Sequence, residues 1–466
     1  MGGSMRQRSL GRGDRLTPLD MSNLRVEARG LPMHVAAVAI LDGTPLVDVS
    51  GQLRLEAIRR HIEERSRQAQ RLRQVLMWPS RGRGLPVWAD DPTFDITRHV
   101  RTQRVPDPGD ETSLLTLCCE LNRPALNRSH PLWEMWLLTG LADGRVGLLI
   151  RLHHVIVDGI AALEMLSSML DLTPDAAAPA VAASSAGTQP QGRVSSGGPE
   201  ETSSKVAQVT SVVLSALSGF ARYLTTRARN GWALARLGRA PSLSWNRPIG
   251  QRQRVMLLRA DLGSVKAAAH THGAKVNDVV LAAVAGGARR LLDNRGELRP
   301  NLEIHVAVPA SIRHPGETGG NRVGIRIIAV PIGEPDPVKR LQAIAARTAA
   351  QRGRPPYQPN GRFLQRWMVR TMFHQRLINI VVSNVVGPPV PVYFARARLF
   401  EVFQLSVLQG NLGLGVGVLS YAGGLYLDIA ADVDVVPDVE VFAAGVSDAL
   451  ERLGTATVHG SPTMPE

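Results

Sequence analysis

The chain has 466 residues, which is enough for two ordinary domains, because single hydrophobic cores stop growing at roughly 250–300 residues. Hydrophobic residues make up 44% and charged residues 20%, a balance typical of a globular protein and not of a disordered one. The formal net charge of +14 favours an anionic partner: nucleic acid, an anionic lipid surface or a phosphorylated cofactor. Aromatic residues make up only 4%, and we find no zinc-finger, RRM or P-loop pattern, so nucleic acid is the least favoured of these partners.

The cysteine content and the N-terminal sequence set further limits. The only cysteines, Cys118 and Cys119, are neighbours in an apolar run, which predicts a reduced, buried pair and not a structural disulfide. Residues 1–15 contain four arginines and predict a flexible basic leader, since no apolar signal core follows them. Eighteen uninterrupted apolar residues occur nowhere, so we expect a cytoplasmic protein without a spanning helix.

Strands and helices are both predicted in the first third of the chain. Predicted strands cover residues 33–41, 131–138 and 145–152, and predicted helices cover residues 52–77, 114–121 and 160–170. The sequence at residues 141–144 is a good hairpin turn, so the strands on either side of it are expected to pair antiparallel.

Two segments in the middle of the chain have unusual compositions. Residues 173–205 are rich in Ala, Pro, Ser and Gly without periodicity, which predicts a disordered linker. Residues 206–240 are apolar but contain several arginines, which predicts a basic amphipathic helix. From residue 202 to 260 there are ten Lys or Arg and no Asp or Glu, so this region either lies on an anionic lipid surface or packs on the domain with its arginines in water.

The second half of the chain also contains both predicted strands and predicted helices. Predicted strands cover residues 254–259, 303–309, 323–330, 413–419 and 425–430, and predicted helices cover residues 261–269, 274–292 and 439–453. The resulting domain prediction is a leader at 1–15, domains at 16–172 and 241–456, a linker at 173–205, a connecting helix at 206–240 and a tail at 457–466.

The most informative stretch is residues 151–159, which read Arg-Leu-His-His-Val-Ile-Val-Asp-Gly where a predicted strand ends and a helix begins. Side chains alternate along a strand, so only one of His153 and His154 can face a pocket while the other packs or holds the loop. A neutral imidazole is suited to take a proton from an alcohol near neutral pH. Asp158 can fix a tautomer or hold the loop, and Gly159 lets a backbone N–H approach a reacting carbonyl.

Other interpretations of the histidine pair compete with catalysis. A single histidine is more often packed or solvated than catalytic. A metal site is disfavoured because adjacent side chains diverge and no HExxH pattern or second ligand cluster follows. No Ser or Cys nucleophile lies beside the pair, so direct transfer fits better than a covalent intermediate. Catalysis without a metal is the leading hypothesis.

The sequence resembles the bacterial wax ester synthase/diacylglycerol acyltransferase family over nearly its whole length. The motifs that carry the resemblance are LTPLD at 16–20, Met33-His34, the PLWE stretch at 131–134, HHVIVDG at 153–159, VNDVV at 276–280, GNRV at 320–323, SNVVGP at 383–388 and Ser420-Tyr421. Their shared order is more specific than HHxxxDG alone, which the wider chloramphenicol acetyltransferase-like superfamily also contains.

The resemblance implies a mixed α/β fold, with two chloramphenicol acetyltransferase-like domains forming a pseudo-dimer around a central tunnel. It implies transfer of a long acyl chain from acyl-CoA, the co-substrate, to diacylglycerol or a fatty alcohol, with no bound cofactor. His154 would be the general base, while His153 and Asp158 would shape the loop. Backbone N–H groups near Gly159 would hold the oxyanion. The expected location is the inner face of the plasma membrane or a lipid droplet, with contact through residues 202–260.

Further site residues follow from the resemblance, each beside a plainer interpretation. Asn277 is expected to donate to a substrate carbonyl, with Asp278 beside it, but both also lie where a helix cap is expected. Pro131, Leu132 and Trp133 are expected to support the active strand, although direct substrate contact is the alternative. Asn321 and Asn384 lie in Gly- and Pro-rich loops, where turn formation is the default.

The chain departs from the family pattern at a few positions. Asn127 and His130 replace a usual Asp and Arg before the PLWE stretch, Val386 replaces a usual Pro, and the aromatic that often follows LTPLD is missing. These departures affect the expected substrate preference and level of activity. Two rival functions remain: a carrier-protein-dependent acyltransferase or condensation-type enzyme, and a non-catalytic lipid-surface protein.

Overall fold

The computed structural model describes residues 16, 18–79, 85–156, 165–175, 238–311, 323–357 and 362–455. Within these ranges the helices are α1 Pro18–Glu27, α2 Leu55–Ser66, α3 Ile96–His99, α4 Glu111–Asn122, α5 Leu262–Thr271, α6 Val276–Asn294, α7 Pro337–Ala350, α8 Arg362–Thr371 and α9 Val439–Arg452. The strands are β1 His34–Asp42, β2 Gln74–Met77, β3 Val87–Asp90, β4 Val100–Arg104, β5 Trp133–Thr139, β6 Arg145–His153, β7 Gln253–Asp261, β8 Glu303–Ser311, β9 Val323–Pro331, β10 Ile380–Val386, β11 Tyr393–Phe394, β12 Ala397–Leu405, β13 Leu414–Tyr421 and β14 Gly424–Asp432.

The fold is mixed α/β, as predicted, and is built on two six-stranded sheets. The first sheet has the order β11-β12-β1-β6-β5-β4 and the second has the order β7-β14-β13-β10-β8-β9. Strands β2 and β3 form a separate two-stranded ribbon. The first sheet therefore contains two strands, β11 and β12, that the chain supplies more than two hundred residues after β6.

The strand that ends at the two histidines lies inside the first sheet, between β1 and β5. Every residue of β6 after Arg145 is buried, which explains why its sequence reads as a near-continuous apolar run. Its even-numbered residues, such as Leu148 and Ile150, pack into one core, whereas Leu149 packs into a second core on the opposite face. The predicted antiparallel pairing of β5 with β6 is confirmed.

The second sheet is covered by two helices that approach closely through small residues. In α6, a Cβ atom added at Gly287 would lie 2.6 Å from Val446 Cγ2 and 2.7 Å from the Phe442 carbonyl oxygen, both in α9. A side chain there would collide with α9 backbone, so the glycine is required by the packing. The Ala- and Gly-rich composition of α6 follows from this contact.

Polar contacts join β12 of the first sheet to the second sheet. Arg259 of β7 binds Glu401 with 2.8 Å contacts, and the Gln404 amide donates to the Val418 carbonyl at 2.6 Å. At the end of β12, the Ser406 N–H donates to Asp428 Oδ2 at 2.8 Å. Asp428 is fully buried on β14, and burial raises its pKa to about 7, although hydrogen bonds from Ser406 oppose the shift.

Several element predictions were wrong or incomplete. The helix predicted over residues 52–77 ends at Ser66, and residues 74–77 form β2 instead, because they pair with β3. Asn384, expected in a loop, lies within β10. The elements that were not predicted are α1, α3, α7, α8, β3, β4, β10, β11 and β12. The linker at 173–205 and the helix at 206–240 fall almost wholly outside the described residues, so the predicted domain boundaries stay a prediction.

The described helices were searched for membrane spans. None of them is both long enough and apolar enough to cross a bilayer.

The pKa of Asp428 predicts how stability depends on pH. Because its pKa rises from 3.8 to about 7 on folding, the native state binds more protons than the unfolded state between these values, and stability falls as pH rises through this window. Asp428→Asn removes the ionisable group, so we expect the variant to exceed wild type by about 4 kcal/mol at pH 8 and to match it near pH 4. Urea unfolding at the two pH values measures the difference.

The control is Asp434→Asn, because Asp434 is exposed and only pairs with Arg252 at the surface. Its effect should be small at both pH values. A stability difference between Asp428→Asn and wild type that does not change with pH would contradict the assigned titration.

Candidate active site

The two histidines follow one another where β6 ends and the chain turns. The N–H of His153 donates to the Leu132 carbonyl at 3.0 Å, and the N–H of His154 donates to the Met33 carbonyl at 2.8 Å. The backbone at the pair is therefore held by the segments before β5 and β1. Both of these segments belong to motifs that the sequence singled out.

His153 is the buried member of the pair, with no exposed surface. Its Nδ1 accepts the Val155 N–H at 3.0 Å, so a neutral ring carries its proton on Nε2. The same Nε2 lies 3.3 Å from Glu27 Oε1. His153 Nδ1 is thus bonded to the backbone of the turn, while its Nε2 faces a carboxylate from α1.

Glu27 is a buried carboxylate whose charge is stabilised by its neighbours. Arg128 contacts Glu27 Oε2 through both Nε, at 3.1 Å, and Nη2. Burial by itself would raise the pKa of Glu27, but the contacts with His153 and then with Arg128 outweigh burial and lower it to about 2. Glu27 therefore stays ionised at every pH at which the protein would be assayed.

A third histidine, His34, lies opposite His153. The two residues pair directly across β1 and β6, and their ring centroids are 6.3 Å apart in an edge-to-face arrangement. The pKa of His34 falls to about 4, because the ring is buried and also lies near the positive charge of Arg151. His34 is therefore neutral at physiological pH.

His154 keeps part of its surface accessible. Its carbonyl oxygen accepts a hydrogen bond from the Asn23 side-chain amide at 3.4 Å. The structure thus distinguishes a packed His153 from a more accessible His154, while the catalytic role of His154 stays a prediction. Asp158, Gly159 and Asn321 lie outside the described residues.

The residues of the PLW stretch support the strand that carries the histidines. Leu132 and Trp133 are buried, and the Trp133 indole N–H donates to the Leu72 carbonyl at 2.8 Å. The indole stacks on the His99 ring at a centroid distance of 4.5 Å. Pro131 is also buried. These contacts favour the structural interpretation of Trp133 over direct substrate contact.

Two of the predicted site residues, Asn277 and Asp278, lie in the first turn of α6. The third, Asn384, lies in β10 of the second sheet. The Asn384 amide lies 3.5 Å from Asn277 Oδ1, at the limit of a hydrogen bond. Asp278 accepts from the Lys275 N–H at 2.9 Å and from the Thr348 hydroxyl at 2.7 Å. Asp278 therefore caps α6, and both of its carboxylate oxygens are bound within the protein.

Sequence reasoning missed the residues that hold His153 and its strand. These are Glu27, Arg128 and the ion pair in which Arg151 contacts Glu134 at 2.7 Å. Glu134 and Arg151 could have been found, because they flank the PLW stretch and the histidines and face each other across β5 and β6. No sequence pattern around Glu27 indicates its role, because its partners lie about one hundred residues or more further along the chain.

The described residues contain no group of three or more His, Cys, Asp and Glu side chains placed to hold a metal ion. Both thiols are poor nucleophiles: burial raises the pKa of Cys118 far above its usual range and that of Cys119 to about 12. Cys118 is buried as predicted, whereas Cys119 is only partly buried, and both are free thiols.

Comparison with solved structures identifies the fold. The wax ester synthase/diacylglycerol acyltransferase from Marinobacter aquaeolei VT8 superposes with a TM-score of 0.66 at 23% identity, covering 94% of this chain and 98% of that one. The first condensation domain of the calcium-dependent antibiotic synthetase superposes with a TM-score of 0.65 at 16% identity, covering 97% and 100%. The two-sheet fold with a His-His turn is therefore the fold that this acyltransferase and the condensation domain share.

Sequence comparison then gives the family. Residues 16–280 match the wax ester synthase/diacylglycerol acyltransferase catalytic domain, and residues 319–454 match the C-terminal domain of the same family. A Mycobacterium tuberculosis protein named probable diacylglycerol O-acyltransferase is 31% identical over 463 residues, covering 94% of this chain and 95% of that protein. The chain belongs to the wax ester synthase/diacylglycerol acyltransferase family.

The contribution of the contact between Glu27 and His153 to stability can be tested by substitution of Glu27. Glu27→Gln removes the negative charge that faces His153 and leaves Arg128 without its partner, so we expect about 3 kcal/mol less stability at pH 7. The pKa of Glu27 is lowered on folding, so the stabilisation is present above pH 4.5 and is lost as pH falls toward 2. The gap between variant and wild type should therefore shrink in acid.

Urea unfolding at pH 7 and at pH 3 measures this gap. Glu56→Gln is the control, because Glu56 is exposed and pairs only with Arg59 on the surface of α2. A Glu27→Gln protein as stable as wild type at pH 7 would show that the buried contact contributes nothing.

Proposed function

We propose that this protein transfers a long acyl chain from acyl-CoA to the hydroxyl of diacylglycerol, a long-chain fatty alcohol, or both. The products are triacylglycerol and wax ester, respectively, with free CoA. Membership of the wax ester synthase/diacylglycerol acyltransferase family supports the reaction. The single observation that carries the assignment of residues is the unequal burial of the two motif histidines, because a fully buried side chain such as that of His153 cannot reach a substrate.

In this mechanism His154 is the general base. It takes the proton from the acceptor hydroxyl as that oxygen attacks the thioester carbonyl carbon. The tetrahedral intermediate then collapses, the C–S bond breaks, and His154 returns the proton to the leaving thiolate. Backbone N–H groups near Gly159, with Asn277, would stabilise the oxyanion. The raised pKa values of Cys118 and Cys119 support direct transfer over a route through an acyl-cysteine.

The protein must reach lipid substrates, and we propose that it does so at an anionic membrane or lipid-droplet surface on the cytoplasmic side. The basic region at 202–260 supports this proposal by its charge. Three of its arginines, however, bind acids of the folded body: Arg252 with Asp434, Arg254 with Glu440, and Arg259 with Glu401. The seven remaining Lys and Arg residues at 202–251 are the ones that we expect to contact lipid.

The test of the reaction is an assay with radiolabelled palmitoyl-CoA, offering dipalmitoylglycerol and hexadecanol in parallel. Wild type should form triacylglycerol, wax ester or both, and the acceptor ratio identifies the preferred acceptor. His154→Ala should lower kcat by about 10²–10⁴-fold, the usual contribution of a general base. His270→Ala is the control, because His270 is exposed at the end of α5.

Equal product from wild type and His154→Ala would exclude His154 as the base. If folded wild type forms no product with either acceptor, the acyl donor is a carrier protein or the protein acts only at lipid surfaces.

The test of lipid contact is flotation with vesicles of phosphatidylcholine that contain 0 or about 30% phosphatidylglycerol. We expect flotation only with the anionic vesicles, and its loss at high salt, because the attraction is screened. Replacing Arg222, Arg227, Arg229 and Arg236 by Gln should abolish flotation. The matched control replaces Arg252 and Arg254, which are already paired, and should leave flotation unchanged. Equal flotation with neutral vesicles would contradict an electrostatic contact.

A further inference from the structure

Three buried polar atoms without a hydrogen-bond partner belong to neighbouring residues at the His-His turn. In the described part of the chain these atoms are Glu27 Oε1, His34 Nε2 and His153 Nε2. His153 Nε2 is 3.3 Å from Glu27 Oε1, close enough for electrostatic attraction but without hydrogen-bond geometry. His34 faces His153 across the sheet. A buried polar atom without a partner costs about 1–3 kcal/mol, so three such atoms on neighbouring residues suggest one shared partner.

The proton on each ring can be assigned from its other contact. His153 Nδ1 accepts the Val155 N–H, so its Nε2 is a donor. His34 Nδ1 lies 3.1 Å from the Asn122 carbonyl oxygen, which can only accept, so Nδ1 donates and Nε2 of this neutral ring is an acceptor. Glu27 Oε1 is an acceptor because the carboxylate is ionised. The three atoms thus comprise one donor and two acceptors.

These donor and acceptor roles decide which kind of molecule can form hydrogen bonds with all three atoms. A water molecule has two protons to donate and lone pairs to accept a third bond, and buried waters typically make about three such bonds. An ammonium ion has no acceptor for the His153 N–H. A metal ion would require His153 Nε2 to be deprotonated, and the described residues hold no metal-binding cluster.

We propose that one buried water molecule bridges Glu27, His34 and His153, and that His34 is thereby a positioning residue for His154. The water donates to His34 Nε2 and to Glu27 Oε1, and accepts from His153 Nε2. The role of His34 in the reaction rests on the proposed function, in which His154 is the base. The water site itself does not depend on that function.

The bridge acts on His154 through the turn. With Nε2 protonated and bound, His153 Nδ1 remains available to accept from Val155, two residues further on. That bond fixes the backbone on both sides of residue 154. If the bridge is lost, the His153 ring can exchange its tautomer or rotate, the Val155 contact breaks, and His154 is held less precisely. Catalytic rates are sensitive to misplacement of this size.

Two substitutions of His34 distinguish the loss of the water bridge from a loss of packing. His34→Asn keeps an N–H near the position of Nδ1 for the Asn122 carbonyl but has no atom that reaches the water. His34→Gln carries an acceptor near the position of Nε2 but gives up the Asn122 contact. We expect kcat to fall about tenfold in His34→Asn with little change in KM, and His34→Gln to recover most of that loss.

The control for a purely structural effect is His305→Asn. His305 is also a buried histidine, and its Nδ1 lies 2.9 Å from the Leu377 carbonyl in the second sheet. This variant should lose stability without a change in kcat. Equal losses of kcat in His34→Asn and His34→Gln, or a larger loss in His34→Gln, would overturn the proposal, because the Asn122 contact or packing would then be what matters.

A crystal structure of the wild-type protein at high resolution tests the water site without any assay. Density for a water molecule within hydrogen-bond distance of all three atoms supports the proposal, even if no acyl transfer is found and the proposed function fails. Direct hydrogen bonding between His153 and Glu27, with no density beside His34 Nε2, would overturn it, even in an active enzyme.

Discussion

The antiparallel pairing of β1 with β6 is the constraint on which the site depends. It sets His34 against His153, and it continues into the hydrogen bond from the His154 N–H to the Met33 carbonyl. A slip of β1 by one residue in this register would turn the His34 ring to the opposite face of the sheet, away from His153. Glu27 and Arg128 then fix the His153 ring from the same side. The base that we propose, His154, is positioned by these contacts with its neighbours.

The division of the chain into sequence halves does not match the division into sheets. Strand β12 comes from the second half of the sequence but completes the first sheet beside β1. The same strand contacts the second sheet through Glu401 and, at its end, through Ser406. The first sheet therefore cannot be complete in an isolated N-terminal half. The buried carboxyl of Asp428, at the contact with Ser406, makes the stability of this junction sensitive to pH.

The sequence predicted the local features of the fold and missed the distant ones. The apolar run of β6, the hairpin with β5 and the Ala-rich helix α6 were predicted, because each is encoded by a period or a turn within about twenty residues. Residues 74–77 were assigned to a helix, since the pairing with β3 that makes them a strand depends on tertiary context. Glu27 was missed because a single acid in a short helix carries no pattern, and its importance arises only from contact with His153. His153 and His154 could be proposed as a pair from sequence, but only their unequal burial distinguishes them.

The most direct test of His154 as the general base is a structure of the His154→Gln protein with a non-cleavable thioether analogue of palmitoyl-CoA and a diacylglycerol. We expect the acceptor hydroxyl to lie about 3 Å from the side chain at position 154, on the path to the carbon that replaces the thioester carbonyl. We also expect His153 to keep its contacts with Val155 and Glu27 and to touch neither substrate. An acceptor hydroxyl that binds His153, or that lies away from both residue 153 and residue 154, would contradict the assignment of His154 as the base.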